Sequence, residues 1–242
     1  MVGTAPSSSN VVAEWRMEDL TDSVGSNDLT VDLNSPTNVS GGIIDNCYDY
    51  DGVNDNLTIP DAACTNTLLD SNWSVSLWVK PALINTQQTI FTFSKDNDVA
   101  LFLNSDNQFR FNIYKGISYQ VRSAVGSVSV GNWYHVVLIR SKTSGMDMYV
   151  NGSYIDDNDP YTGNGSDANR RNLIGSAWIN PTYQQFFEGL IDEFQIYDVA
   201  LTADNVAYLY NSPDGPGSAQ QYPFSAAPGT PEFDALFAGC NF

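Results

Sequence analysis

The stretch Trp73-Ser-Val-Ser-Leu-Trp-Val-Lys80 alternates without a break: Trp73, Val75, Leu77 and Val79 fall on one side of an extended chain, Ser74, Ser76, Trp78 and Lys80 on the other. Only a β-strand, with its two-residue period, sorts the side chains this way. Trp78 breaks the polar side, which marks it as a second-layer core residue in a strand covered on both faces. Gly131 to Ile139 repeats the pattern, with Trp133, His135, Val137 and Ile139 on one face and Tyr134, Val136 and Leu138 on the other. Apolar residues on both sides suit a central strand.

Outward from these two runs, short alternating segments recur about every ten residues, separated by Gly, Asn, Asp and Ser clusters. The predicted strands are Val11 to Met17, Leu29 to Leu33, Cys47 to Tyr50, Leu57 to Ile59, Ser74 to Lys80, Ile90 to Ser94 and Ala100 to Leu103. They continue with Phe109 to Tyr114, Ser118 to Arg122, Trp133 to Arg140, Asp147 to Val150, Asn172 to Gly175 and Gly189 to Tyr197. Asn151-Gly152 between two such runs is the signature of a type I′ hairpin, and Lys115-Gly116 suggests another. Thr202 can cap a short helix over Ala203 to Tyr210, with Val206, Leu209 and Tyr210 on one face. The expected fold is therefore all-β: a two-sheet antiparallel β-sandwich with one short C-terminal helix. It occupies residues 11–211, after an N-terminal arm (1–10) and before a Pro/Gly-rich tail (212–242) that ends in an apolar peptide.

Composition narrows the function. Among 242 residues, 28 are acidic and ten basic, a formal net charge of −18 that repels nucleic acid,. No apolar run reaches the roughly 18 residues of a membrane span. Met1 to Asn10 has neither a basic start nor an apolar stretch, so no export signal is visible. The expected location is extracellular or surface-displayed, reached by secretion with signal removal or by assembly into a virion. Of the three cysteines, Cys47 and Cys64 are favoured as a pair by proximity, leaving Cys240 over,. His135 is the one histidine. With no second His or Cys near it, a zinc site or a histidine-activated nucleophile has little support.

Six blocks, in order, resemble the laminin-G-like, concanavalin A-like lectin/glucanase jelly roll domains. They are Ala13 to Asp19, Tyr48 to Pro60, Trp73 to Pro81, Gly131 to Ile139, Tyr149 to Gly152 and Phe187 to Tyr197. The resemblance runs from about Val11 to Asn211. It implies about thirteen strands, a closing helix, and a non-catalytic recognition or adhesion module.

In the resembled fold three acidic segments lie close together: Glu18 to Asp28, Asp51 to Asn56 and Gly189 to Glu193. Calcium takes hard oxygens of the kind such loops supply. The expected ligands are Asp192, with Asp22, Asn27 and Asp51; the competing reading is that these are ordinary turn formers. Sugar recognition joins an exposed ring to amide and carboxylate groups. The candidates are Tyr154 with Asp156, Asp157 and Asn158, then Tyr161, Trp178 with Asn180, and Tyr183 with Gln184 and Gln185. The expected partner is a glycan or glycoprotein surface. The alternative is a virion or assembly protein, contacting capsid or other subunits and anchored by its terminal segments. Glycoside hydrolases that share this sandwich carry a Glu-x-Asp-x-x-Glu run, which is missing here. Asp192 and Glu193 alternate to opposite faces of a regular strand, which would keep them from lining one cleft.

Overall fold

The computed structural model describes residues 3–63, 66–93, 99–163, 171–179 and 181–212. Cys64, Cys240, Asn180 and the tail after Ser212 lie outside the described residues, and with them the expected Cys47 to Cys64 pairing and the terminal peptide. Cys47 itself is buried and, among the described residues, has no disulfide partner.

In chain order the first elements are β1 (Val11–Trp15), β2 (Thr30–Val31), β3 (Thr37–Ser40), β4 (Asn46–Asp51), β5 (Leu57–Thr58) and one helical turn, α1 (Asn66–Leu69). Next come β6 (Trp73–Pro81), β7 (Gln88–Phe93), β8 (Val99–Leu103), β9 (Phe109–Tyr114) and β10 (Ser118–Arg122). The chain continues with β11 (Tyr134–Ser141), β12 (Gly145–Val150), β13 (Ser153–Tyr154) and β14 (Leu173–Ile174). It closes with β15 (Ala177–Ile179), β16 (Thr182–Gln184), β17 (Glu188–Tyr197) and the helix α2 (Ala203–Asn211).

Eight strands form one sheet, β13-β12-β11-β6-β17-β4-β3 with β1 also on β17; seven form the other, β10-β9-β8-β7-β14-β5-β2. The ladders joining neighbouring strands in both sheets are antiparallel. The alternation of β6 does what its sequence demands. Trp73, Val75, Leu77 and Val79 point into the main core, where Trp73 meets Phe93 and Phe111 of the opposite sheet edge-on at 6.3 and 5.7 Å. Trp78 faces outward and is nonetheless buried, stacked on Tyr210 of α2 at 5.7 Å and against His135 at 5.0 Å. A second, smaller core of Val137, Ile139, Tyr197, Leu201, Val206 and Leu209 lies under that helix. The resembled architecture and the closing helix are thus present.

Turn chemistry follows the sequence as well: Asn151 (φ 50°) and Gly152 (φ 72°) form the left-handed pair between β12 and β13, and Gly116 (φ 78°) turns β9 into β10,. Three elements differ from expectation. The predicted first strand stops at Trp15, two residues early, because Met17 takes φ 62°. Thr37–Ser40 is a strand with no buried residue, so it carries no alternation to read. Trp178 and Tyr183, expected in loops, sit on the β15–β16 hairpin.

A fourth difference concerns chemistry. The register of β17 on β6 slips between Asp192 and Gln195, and Glu193 has φ 49°. This bulge puts Ile191 and Phe194 both in the main core. Asp192 and Glu193 therefore stand together on the outer side rather than alternating, opposite to the expectation for a regular strand. Both are shut off from solvent, at 0% and 4% exposure.

Candidate functional site

In the seven-stranded sheet β14, β5 and β2 are neighbours. Their flanking segments bring Asp32, Ile59 to Asp61 and Arg171 to Leu173 around one pocket of about 370 Å³. The β15–β16 hairpin adds its aromatic pair. Trp178 and Tyr183 are register partners, so their side chains share a face and meet edge-on at 4.7 Å,. Arg171 lies over this pair, its guanidinium carbon 3.9 Å from the Trp178 ring centroid and 5.4 Å from that of Tyr183. A cation over an indole face is a favourable contact that also fixes the fork of donors.

From that seat Arg171 donates to the Tyr183 hydroxyl, which in turn donates to Asp32 Oδ2, and the Arg171 to Asp32 ion pair measures 3.6 Å. Burial first, then the hydrogen bond to Asp32, push the Tyr183 phenol up to about 12, so it stays a donor at neutral pH. On the other wall Asn172 Nδ2 donates to Asp61 Oδ1 at 3.0 Å. The pocket thus offers two carboxylates, an amide and a guanidinium, with the two partly exposed rings beside it under Arg171. A sugar presents hydroxyls at its edge and C–H groups on its face, and these groups can answer both.

Of the sequence-predicted ligand residues, the structure brings Trp178 and Tyr183 together here, while Asn180 lies outside the described residues. Gln185 accepts from the hydroxyl of Thr89, and Gln184 is exposed on the hairpin. The others gather elsewhere. Tyr154 donates to Asp147 and packs edge-on to Tyr149. Asp156 and Asn158 are exposed, and Asp157 accepts the Arg122 amide along β10. Tyr161 stacks on Tyr119 at 3.9 Å and packs against the main core. Sequence reasoning missed Asp32, Asp61, Arg171 and Asn172. A signal existed in Arg170-Arg171-Asn172, a rare doubling of basic residues in an acidic chain, but nothing local ties it to Asp32.

The four residues expected to hold calcium are not gathered at one point. Asp22 and Asn27 do meet: Asp22 Oδ1 accepts the amides of Glu14 and Val24, and Oδ2 accepts the amide and side chain of Asn27. Four N–H donors fill the four acceptor positions of a carboxylate, leaving none for a cation. Asp51 Oδ1 caps its own turn through Val53, Asn54 and Asp55. Asp192 is buried elsewhere, its Oδ2 accepting from Ile43 and Ile44 and its Oδ1 from Glu193. Desolvation raises its carboxyl to about 7. Among the described residues no group of three or more His, Cys, Asp or Glu is arranged to hold a metal. N–H donors thus occupy both oxygens of Asp22 and of Asp192 and one oxygen of Asp51.

His135, on the outer face of β11, accepts from or donates to Ser76 at 2.8 Å beneath α2, and burial lowers it to about 3. Glu193 and Gln195 border the same small void of about 10 Å³. With His135, Ser76 and Glu193 all buried, this group braces the helix against the sheet.

A two-sheet antiparallel sandwich bearing a polar pocket beside an aromatic hairpin defines a lectin-like fold. The chain belongs to the concanavalin A-like lectin/glucanase superfamily, whose Laminin_G_3 family model matches residues 51–207. Among solved structures it is similar to domain 4 of AbnA, an extracellular arabinanase from Geobacillus stearothermophilus, in complex with arabinotriose. The identity is 26% and the TM-score 0.67, over 83% of this chain and 98% of that one. It is also similar in fold to the binding domain of Paraclostridial Mosquitocidal Protein 1 (16% identity, TM-score 0.70, 86% of this chain and 53% of that). The binding domain of botulinum neurotoxin DC, solved with rat synaptotagmin II, shares the fold too (16%, TM-score 0.66, 84% and 52%). No curated protein matches the chain.

Proposed function

We propose that this protein is a non-catalytic carbohydrate-recognition module, secreted or surface-displayed, that takes a glycan into the pocket beside the β15–β16 hairpin. One observation carries the reading: Trp178, Tyr183, Arg171 and Asp32 are locked to one another at the edge of an open, polar pocket that Arg171 and Asp32 line. Such preorganisation keeps the ordering cost of binding low. The arabinotriose complex of the 26% identical domain supports an oligosaccharide as the ligand class. Recognition is routed through side chains alone, with no calcium between sugar and protein, since the expected calcium ligands are spread over three places.

The test is calorimetry with arabinotriose and a panel of neutral oligosaccharides, with and without EDTA. Trp178→Ala and Asp61→Asn are each expected to weaken the best ligand about tenfold, which is about 1.4 kcal/mol, while the melting temperature stays near that of the parent. EDTA is expected to change nothing. If neither variant alters binding, the pocket is the wrong place. EDTA-sensitive binding would return calcium to the rim. Silence across the panel would end the glycan reading.

A further inference from the structure

The outer face of the seven-stranded sheet carries a second groove, which the hairpin site does not use. Phe109, Phe111 and Ile113 of β9 and Val121 of β10 enter the core, so their neighbours turn outward. Arg110, Asn112 and Tyr114 then stand beside Arg122, Gln120 and Ser118, paired across the ladder as Arg122 with Arg110, Gln120 with Asn112 and Ser118 with Tyr114. Arg110, Asn112, Tyr114, Ser118 and Gln120 line, with Phe102, a groove of about 220 Å³, and Arg122 stands at the next position along the ladder from it.

Two arginines directly opposite each other on neighbouring strands repel. The chain has ten basic residues against 28 acidic ones, so it had ample means of neutralising them. Yet among the described residues neither guanidinium forms an ion pair. The nearby carboxylates are engaged with backbone: Asp157 accepts the Arg122 amide and Asp159 the Gln120 amide, while Asp106 acts on Arg110 through space only. Arg110 is laid over the Phe102 ring at 4.5 Å, and its buried Nε has no hydrogen-bond partner. Arg122 donates to Gln120 Oε1, and Gln120 Nε2 donates to Asn112 Oδ1 at 3.1 Å, so the amides are already oriented. Burial, then the neighbouring Arg122, pull the Arg110 guanidinium below its ordinary value, and Asp106 opposes them.

We propose that this groove is an anion-reading subsite for an acidic glycan, in which Arg110, supported by Arg122, holds the carboxylate or sulfate of a sugar while Asn112, Gln120 and Tyr114 meet its ring. A planar guanidinium matches either oxyanion through two parallel hydrogen bonds. The proposal rests on the glycan reading above but concerns a different surface, and the two can fail separately.

The experiment is calorimetry of the full chain with three probes: tri-galacturonate, a sulfated disaccharide and neutral arabinotriose. Arg110→Gln is expected to weaken the favoured acidic probe at least about tenfold, and Arg110→Lys nearly as much because two-point geometry is lost. Arabinotriose affinity should not change in either variant, and Trp178→Ala should leave the acidic probe unaffected. Arg110→Gln should melt at or above the parent temperature, since it removes a like-charged pair. A preference for galacturonate over the sulfated probe, or the reverse, assigns the anion. Acidic probes bound no better than arabinotriose, or equally well by Arg110→Gln, overturn the subsite while leaving the hairpin pocket standing. Failure of all three probes overturns both.

Discussion

Asp192 and His135 show how two buried titratable groups on the same sheet act in opposite directions. Burial raises Asp192 to about 7 from its ordinary 3.8, although three N–H groups favour its charge. The folded chain therefore holds this proton when the unfolded chain has lost it, so stability from this group is full below about pH 4 and declines as pH rises through 7. His135 is lowered from 6.5 to about 3, so its neutral burial stabilises above pH 6.5 and that contribution is lost as pH falls toward 3,. Asp192→Asn should accordingly gain on the parent by up to about 4 kcal/mol between pH 4 and pH 8. Urea midpoints of both proteins across that range measure it. A difference independent of pH would show that Asp192 ionises freely in the fold.

The helix α2 closes the outer face of the eight-stranded sheet, and its start is set by one reciprocal pair. Thr202 Oγ1 accepts the Asn205 amide at 3.2 Å, while Asn205 Oδ1 accepts the Thr202 amide at 3.0 Å. Asn205 also donates to Thr4, which ties residues before β1 to the helix. Thr202→Ala should cost about 1 kcal/mol and Thr202→Ser little of it, read by thermal denaturation; an equal loss in both variants would assign the cost to the methyl group. This cap was legible because capping is local. So were β6, β11 and the Asn151-Gly152 turn, each written in consecutive residues. The bulge at Glu193 was not, since an extra residue in a ladder is visible only against the partner strand. The β15–β16 hairpin escaped for a similar reason: Trp178 and Tyr183 are five positions apart and gain meaning from Arg171 and Asp32, which the sheet order alone brings to them. The backbone amides that Asp22 and Asp51 accept in the fold were equally hidden, since a turn's hydrogen bonds are not written in its composition.

At the scale of the whole molecule, 28 acidic residues against ten basic ones make self-repulsion the dominant long-range term at neutral pH,. Salt screens it over a Debye length of about 10 Å at 0.1 M and about 3 Å at 1 M, so the melting temperature should rise with sodium chloride. Divalent ions screen more strongly for the same reason, which makes stabilisation by calcium alone an ambiguous sign of a site. Magnesium separates the two causes, because it shares the charge but demands a tighter octahedral shell. With Asp22 saturated by N–H donors and Asp192 sealed in the sheet, calcium and magnesium at matched ionic strength should raise the melting temperature equally. A saturable excess for calcium at sub-millimolar concentration would mean that the Glu18 to Asp28 loop rearranges to release Asp22, since an ion stabilises whichever state binds it. Repeating the titration with Asp22→Asn then decides the point, because the excess must vanish in that variant if the loop is its source.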